Sequence, residues 1–190
     1  MILASRSPQR RAILEQLGVG FEVVVPDVDE LTEGPPIELA AENAYRKAAA
    51  VAERKPDALV LGVDTIVALG ARVYGKPANA AHARATLVAL AGRRHIVISG
   101  VCVLDAGRPR TAVASTSVEF RALDPYLIDW YLETGEWRER AGAYAIQGRG
   151  AALVAAIDGD YSNVVGLPVP TLLELVPRLL HDREPEHPRA

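Results

Sequence analysis

Short aliphatic runs alternate with stretches of helical spacing along the chain. Met1 to Ala4 is an apolar run that reads as a strand. Ser5-Arg6-Ser7-Pro8 then leads into RRAILEQLG, whose Ile13, Leu14 and Leu17 share one helical face; Ser7 suits the N-cap, Pro8 the first helical position and Gly18 the end. Phe21 to Val25 reads as a strand and runs into the acidic loop PDVDELTEGPP. A helix follows in PIELAAENAYRKAAAVAER, with Leu39, Asn43, Arg46, Lys47 and Ala50 at helical spacing. LVLGVDTIVALGARVYGKP, from Leu59 to Pro77, reads as strand. NAAHARATLVALAG is a helix ended by Gly92, and HIVISGVCVLD and TAVASTSVEFRAL are two long strands of an antiparallel pair with AGRPR as the turn. DPYLIDWYLETG is an amphipathic helix capped by Asp124, with Pro125 in its first turn and Leu127, Trp130 or Tyr131 on its buried face. AGAYAIQGRGAALVAAIDGDYSNVVGLPVP places glycines around two apolar strands, and TLLELVPRLL is the last helix. No internal repeat or linker interrupts the pattern, so residues 1–181 are expected to form one domain and residues 182–190 a flexible tail.

One residue breaks the pattern. Asp64 stands among Val60, Leu61, Val63, Ile66 and Val67, where an ionised carboxylate is costly unless it meets a metal, a cation or hydrogen-bond donors. Two readings stand: Asp64-Thr65 begins a turn between two strands, or Asp64 belongs to a site. The Ser5–Pro8 loop is similarly open. It aims backbone N–H groups and the positive end of a helix at whatever lies above it, beside Arg6, Arg10 and Arg11, which outlines an anion site; a plain capped helix with surface arginines is the other reading. Asp27, Asp29, Glu30 and Glu33 either face water or offer oxygens to a hard cation such as magnesium if their loop folds toward Asp64. Lys47 and Arg46 either form an exposed basic face or reach into a cleft. Gln147, between Ile146 and Gly148, is a polar group in an apolar setting and is expected to meet a partner.

Composition removes several classes. At 190 residues, 49% hydrophobic and 24% charged, the chain is long enough for a real core, and it has no apolar run approaching the ~20 residues that span a membrane. MILASRSP shows no export signal, so a cytoplasmic location is expected. Cys102 is the one cysteine and lies in an apolar run, as a buried inert thiol would. His82, His95, His181 and His187 lack metal-ligand spacing, which argues against zinc. A net charge of −3, with no arginine-rich run interleaved with aromatics, argues against a nucleic-acid partner.

The segments ASRSPQRR, VDE, RKA, GVDT followed by GKP, AYAIQGRG and NVVGLP occur in the order and spacing of the Maf family, and the chain resembles that family from Ile2 to about Leu180. The resemblance implies an α/β fold like that of the inosine-triphosphate pyrophosphatases, a mixed twisted sheet flanked by helices with two lobes around a central cleft. It implies hydrolysis of nucleoside triphosphates to the monophosphate and pyrophosphate with a divalent cation, Mg2+ or Mn2+, and it suggests a homodimer. Carried over by position, it makes Asp64 the acid–base residue and puts Glu30 and Asp64 at the metal. Ser5, Ser7, Arg10, Lys47 and Lys76 would contact phosphates or hold the loop that does. Whether Asp64 takes the proton from water or positions water on the cation stays open.

Substrate choice in the family tracks positions that match Gln9, Thr65 and Gln147. Thr65 and Gln147 match the branch resembling dTTP/UTP pyrophosphatases, and Gln9 stands where that branch usually has arginine. A glutamine amide can donate to O4 and accept from N3–H of uracil or thymine, and flipped it offers the reverse pattern to cytosine. Two other readings remain beside the pyrimidine pyrophosphatase: a nucleotide-binding regulator of septum formation with little turnover, and a 7-methyl-GTP pyrophosphatase.

Overall fold

The computed structural model describes residues 1–181; the tail expected at residues 182–190 lies outside them. Seven strands form one mixed sheet: β1 (Ile2–Ala4), β2 (Glu22–Val23), β3 (Val60–Leu69), β4 (Arg72–Tyr74), β5 (Arg94–Asp105), β6 (Arg108–Phe120) and β7 (Val154–Asp158). Their order is β2-β1-β3-β5-β6-β7, with β4 also paired to β3. β1 is parallel to β2 and β3, whereas β3, β5, β6 and β7 pair antiparallel in sequence. The helices are α1 (Pro8–Gln16), α2 (Pro36–Ala52), α3 (Ala80–Leu90), α4 (Pro125–Glu133), α5 (Tyr161–Val165) and α6 (Val169–Leu175).

Period-two alternation in β3 and β5 sorts the core. Val60, Ile66, Ala68, Ile98 and Cys102 meet α2 on one face through Leu39, Ala40, Ala44, Ala48 and Val51. Leu61, Val63, Val101 and Val103 pack on Leu14 of α1 and Leu172 of α6 on the other, and Val67 and Val97 join the layer built on α3 and α4. α2 lies unusually close to the sheet. A Cβ at Gly62 would run into Ala44 O, and one at Gly100 into Ala40 O, so glycine beneath an alanine-rich helix is what permits this approach.

Several sequence expectations change. Asp64 does not begin a turn: β3 runs unbroken through it, and the chain turns at Gly70, whose φ is 60°. The second strand shrinks to Glu22–Val23 because its partner β1 offers only Ile2 and Leu3 for pairing. The hairpin between β5 and β6 is a two-residue turn, Ala106 and Gly107, both at positive φ, so Arg108–Arg110 belong to β6. AYAI is no strand. It is buried between two 3-10 turns, Ala141–Ala143 and Arg149–Leu153, and Ala145 donates its N–H to Tyr131 Oη at 2.9 Å, which replaces a sheet partner. Cys102 is fully buried, and burial raises its thiol pKa.

Candidate functional site

β3 carries an opening. Along one edge β5 pairs with it from Val60 to Ala68; along the other, β1 ends opposite Gly62 and the antiparallel β4 ends opposite Val67. Asp64 and Thr65 lie in the interval between them, where the Ser5–Ser7 loop leaves β1 for α1. Such a gap beyond the carboxyl end of a parallel strand is where open α/β sheets admit ligands. Because neighbouring strand residues face opposite ways, Asp64 projects toward α2 and Thr65 toward α1.

On the α2 face, Lys47 Nζ lies 2.6 Å from Asp64 Oδ1 and 2.6 Å from Glu30 Oε1. Asn43, one turn earlier on the same helical face, donates from Nδ2 to Asp64 Oδ2 at 3.2 Å and to Leu31 O at 3.0 Å, and its Oδ1 accepts from Leu31 N at 2.8 Å. Asp64 is 5% and Lys47 7% exposed, so this is a buried ion pair with an acidic loop folded onto it. The close seating of α2 over Gly62 and Gly100 brings its side chains within reach; Gly100 is the register partner of Asp64.

On the other face, Arg10 donates from Nε to Gly166 O at 2.9 Å, from Nη1 to Ser5 Oγ at 3.0 Å and from Nη2 to Thr65 Oγ1 at 3.0 Å. Burial lowers the Arg10 pKa, while the fields of Asp64 and Glu30 act the other way, so the two clusters share one electrostatic environment. Ser5 Oγ also accepts from Ser7 N at 3.1 Å, and Ser7 caps α1 through Arg10 N. Ser7 Oγ donates to Gln9 Oε1 at 3.1 Å. Thr65 Oγ1 lies 2.8 Å from the fully buried Ser99 Oγ.

Glu30, Lys47 and Asp64 are thus brought together in one group, and Ser5, Ser7, Gln9, Arg10 and Thr65 in another. Lys76 touches neither; it follows β4 on the run back beside β3 and forms an exposed pair with Glu139 at 3.3 Å. Gln147 is exposed just after the buried Tyr144–Ile146, and its side chain makes no hydrogen bond among the described residues. Sequence reasoning left Asn43, Ser99 and the Gly166 carbonyl unassigned. Asn43 alone left a trace, as a polar residue one turn from Lys47 on a helix face otherwise buried as alanine, leucine and valine.

Among the described residues no group of three or more His, Cys, Asp and Glu is set to hold a metal. Glu30 and Asp64 nevertheless suit magnesium, which takes one or two protein carboxylates and fills its shell with water and phosphate oxygens. The ammonium of Lys47 resting on both carboxylates shows that the pocket between them accepts positive charge.

A family model described as Maf-like protein matches residues 1–179. The dTTP/UTP pyrophosphatase of Symbiobacterium thermophilum is 48% identical over 178 residues, which cover 93% of this chain and 92% of that protein. That of Gloeobacter violaceus is 46% identical, covering 93% and 94%, and that of Pyrococcus furiosus is 41% identical, covering 93% of each. With a match across the sheet, both clusters and the gap between them, this chain belongs to the Maf family.

Proposed function

We propose that this protein hydrolyses dTTP and UTP to the monophosphate and pyrophosphate, removing them from the nucleotide pool. The observation that carries the reading is the buried Asp64–Lys47 pair, with Glu30 on its exposed side, beside the opening in β3, on a chain similar over nearly its whole length to proteins named dTTP/UTP pyrophosphatase.

The triphosphate enters at the opening. The Ser5–Ser7 loop and the N-terminus of α1 present N–H groups to phosphate oxygens. Arg10 spends three donors on Ser5, Thr65 and Gly166, so its part is to hold that loop rather than to reach far into solvent. Lys47 and Lys76 supply cations to the phosphates, and the exposed Lys76–Glu139 pair is weak enough to exchange. Glu30 and Asp64 would hold a divalent cation, which when bound neutralises charge on the phosphoryl oxygens and on the departing pyrophosphate. Asp64 orients the attacking water toward the α-phosphorus and is placed to take its proton, with the Asn43 amide holding its Oδ2. With a divalent cation held by Glu30 and Asp64, the Lys47 ammonium, which uses the same oxygens, would be free for phosphate.

Gln147 faces solvent with its amide unspent, free to donate to O4 and accept from N3–H of uracil or thymine. Thr65 already has Arg10, Ser99 and Gly166 around its hydroxyl, so it influences the pocket through Arg10. The test is a panel of nucleoside triphosphates with Mg2+ or Mn2+, following pyrophosphate and orthophosphate. Pyrophosphate formed mainly from dTTP and UTP, and lost in Asp64→Asn, supports the reading. Tight binding without turnover replaces it with a nucleotide-binding regulator, and faster turnover of 7-methyl-GTP replaces the substrate class.

A further inference from the structure

We infer that Asn43 is a positioning residue that ties the acidic loop to Asp64 and so sets how tightly Glu30 and Asp64 hold a divalent cation. The inference rests on the proposed role of those two carboxylates. Among the described residues, Asn43 and Lys47 are the side chains that tie residues 27–34 to the rest of the fold by hydrogen bond or ion pair. Lys47 would compete with a cation for the same carboxylate oxygens, whereas Asn43 bonds the loop through its backbone and would not. Its amide is fully used: Oδ1 accepts from Leu31 N, and the two hydrogens of Nδ2 go to Leu31 O and Asp64 Oδ2. One planar group therefore fixes the residue next to Glu30 and one oxygen of Asp64 at a set separation. Asn43 is 2% and Asp64 5% exposed, so the bond between them is buried from water. Aspartate in its place would lack both donors and add a like charge beside Asp64, and leucine would offer neither donor nor acceptor.

The experiment titrates Mn2+ into nucleotide-free protein and reads the free ion by electron paramagnetic resonance. Two variants are compared with wild type. Asn43→Leu removes all three bonds. Leu31→Pro removes the loop's N–H, at a residue that is 42% exposed, fixes φ there and restricts Glu30, and leaves Asn43 on Asp64. Far-UV circular dichroism checks folding, and where Asn43→Leu does not fold, Leu31→Pro decides. Partners that orient metal ligands are worth about 10–100-fold in metal affinity, and Asn43→Leu is expected to weaken Mn2+ within that range, with Leu31→Pro near its lower end. At saturating Mn2+ the variants regain most of their kcat. A lowered Tm with unchanged Mn2+ affinity means a merely structural role and overturns the inference. Asp64→Asn separates the two levels. If it abolishes Mn2+ binding while Asn43→Leu and Leu31→Pro bind like wild type, the Asn43 inference alone fails; if it leaves binding untouched, the metal reading fails and takes the inference with it.

Discussion

Lys47→Met should unfold more easily than wild type and be rescued by a metal ion. The substitution keeps the length of the stem and removes the ammonium that sits 2.6 Å from each of two carboxylates. The Asp64 side chain is 7% exposed and would be left with a single Asn43 N–H, and stranding a buried charge in this way costs about 3–5 kcal/mol. The Glu30 side chain is 44% exposed, so its share is screened and adds less than about 1 kcal/mol. For a chain of this size the loss corresponds to a Tm lower by about 6–20 °C. Millimolar Mn2+ should restore most of that loss, because the cation supplies the missing charge without displacing an ammonium, and the variant should bind Mn2+ more tightly than wild type while its turnover collapses. Thermal unfolding followed by circular dichroism, with and without Mn2+ and without nucleotide, reads both effects. A variant as stable as wild type in the absence of metal, or a lowered Tm that Mn2+ does not raise, would refute the reasoning.

Gly100→Ala should lower Tm and kcat together. Its Cβ runs into Ala40 O and pushes α2, with Asn43 and Lys47, off the sheet at a cost of about 1–3 kcal/mol or more, whereas Gly20→Ala, with open space around it, should do neither. His95 is buried between Phe120 and Tyr144, and burial depresses its pKa to about 4. The unfolded chain then takes up the proton first, so this contribution is complete above the ordinary value near 6.5 and lost as pH falls toward 4. Urea unfolding should show about 2–3 kcal/mol of acid destabilisation between pH 7 and 4.5 that His95→Gln lacks. Gln147→Glu changes an exposed residue, so stability should stay within about 0.5 kcal/mol. Its carboxylate cannot donate to O4, so kcat/KM for UTP should drop about tenfold while the rate ratio of CTP to UTP rises.

The strands and helices whose pattern is strong were legible in place: Ser7 and Asp124 cap α1 and α4 as their hydroxyl and carboxylate suggest, and the long antiparallel β5–β6 pair forms, with its turn tighter than expected. The glycine-rich segment was not. AYAI has the apolarity of a strand, but its backbone bonds go to Tyr131 and local turns, partners that no local pattern encodes. Asp64 was legible as a misplaced charge because burial makes an unpaired carboxylate costly. What answers it was not: Lys47 and Asn43 reach Asp64 only because glycines at 62 and 100 let α2 settle, and those glycines are far from the helix in sequence. Arg10 was expected to contact phosphates or hold the loop that does, and its bonds to Ser5, Thr65 and Gly166 are partners its charge alone did not indicate.

The central claim is that water, oriented by Asp64, attacks the α-phosphorus. Turnover of dTTP in 18O-labelled water, with the products separated and analysed by mass spectrometry, tests it most directly. One 18O is expected in the thymidine monophosphate and none in the pyrophosphate. Label in the pyrophosphate, which means attack at the β-phosphorus, would contradict it.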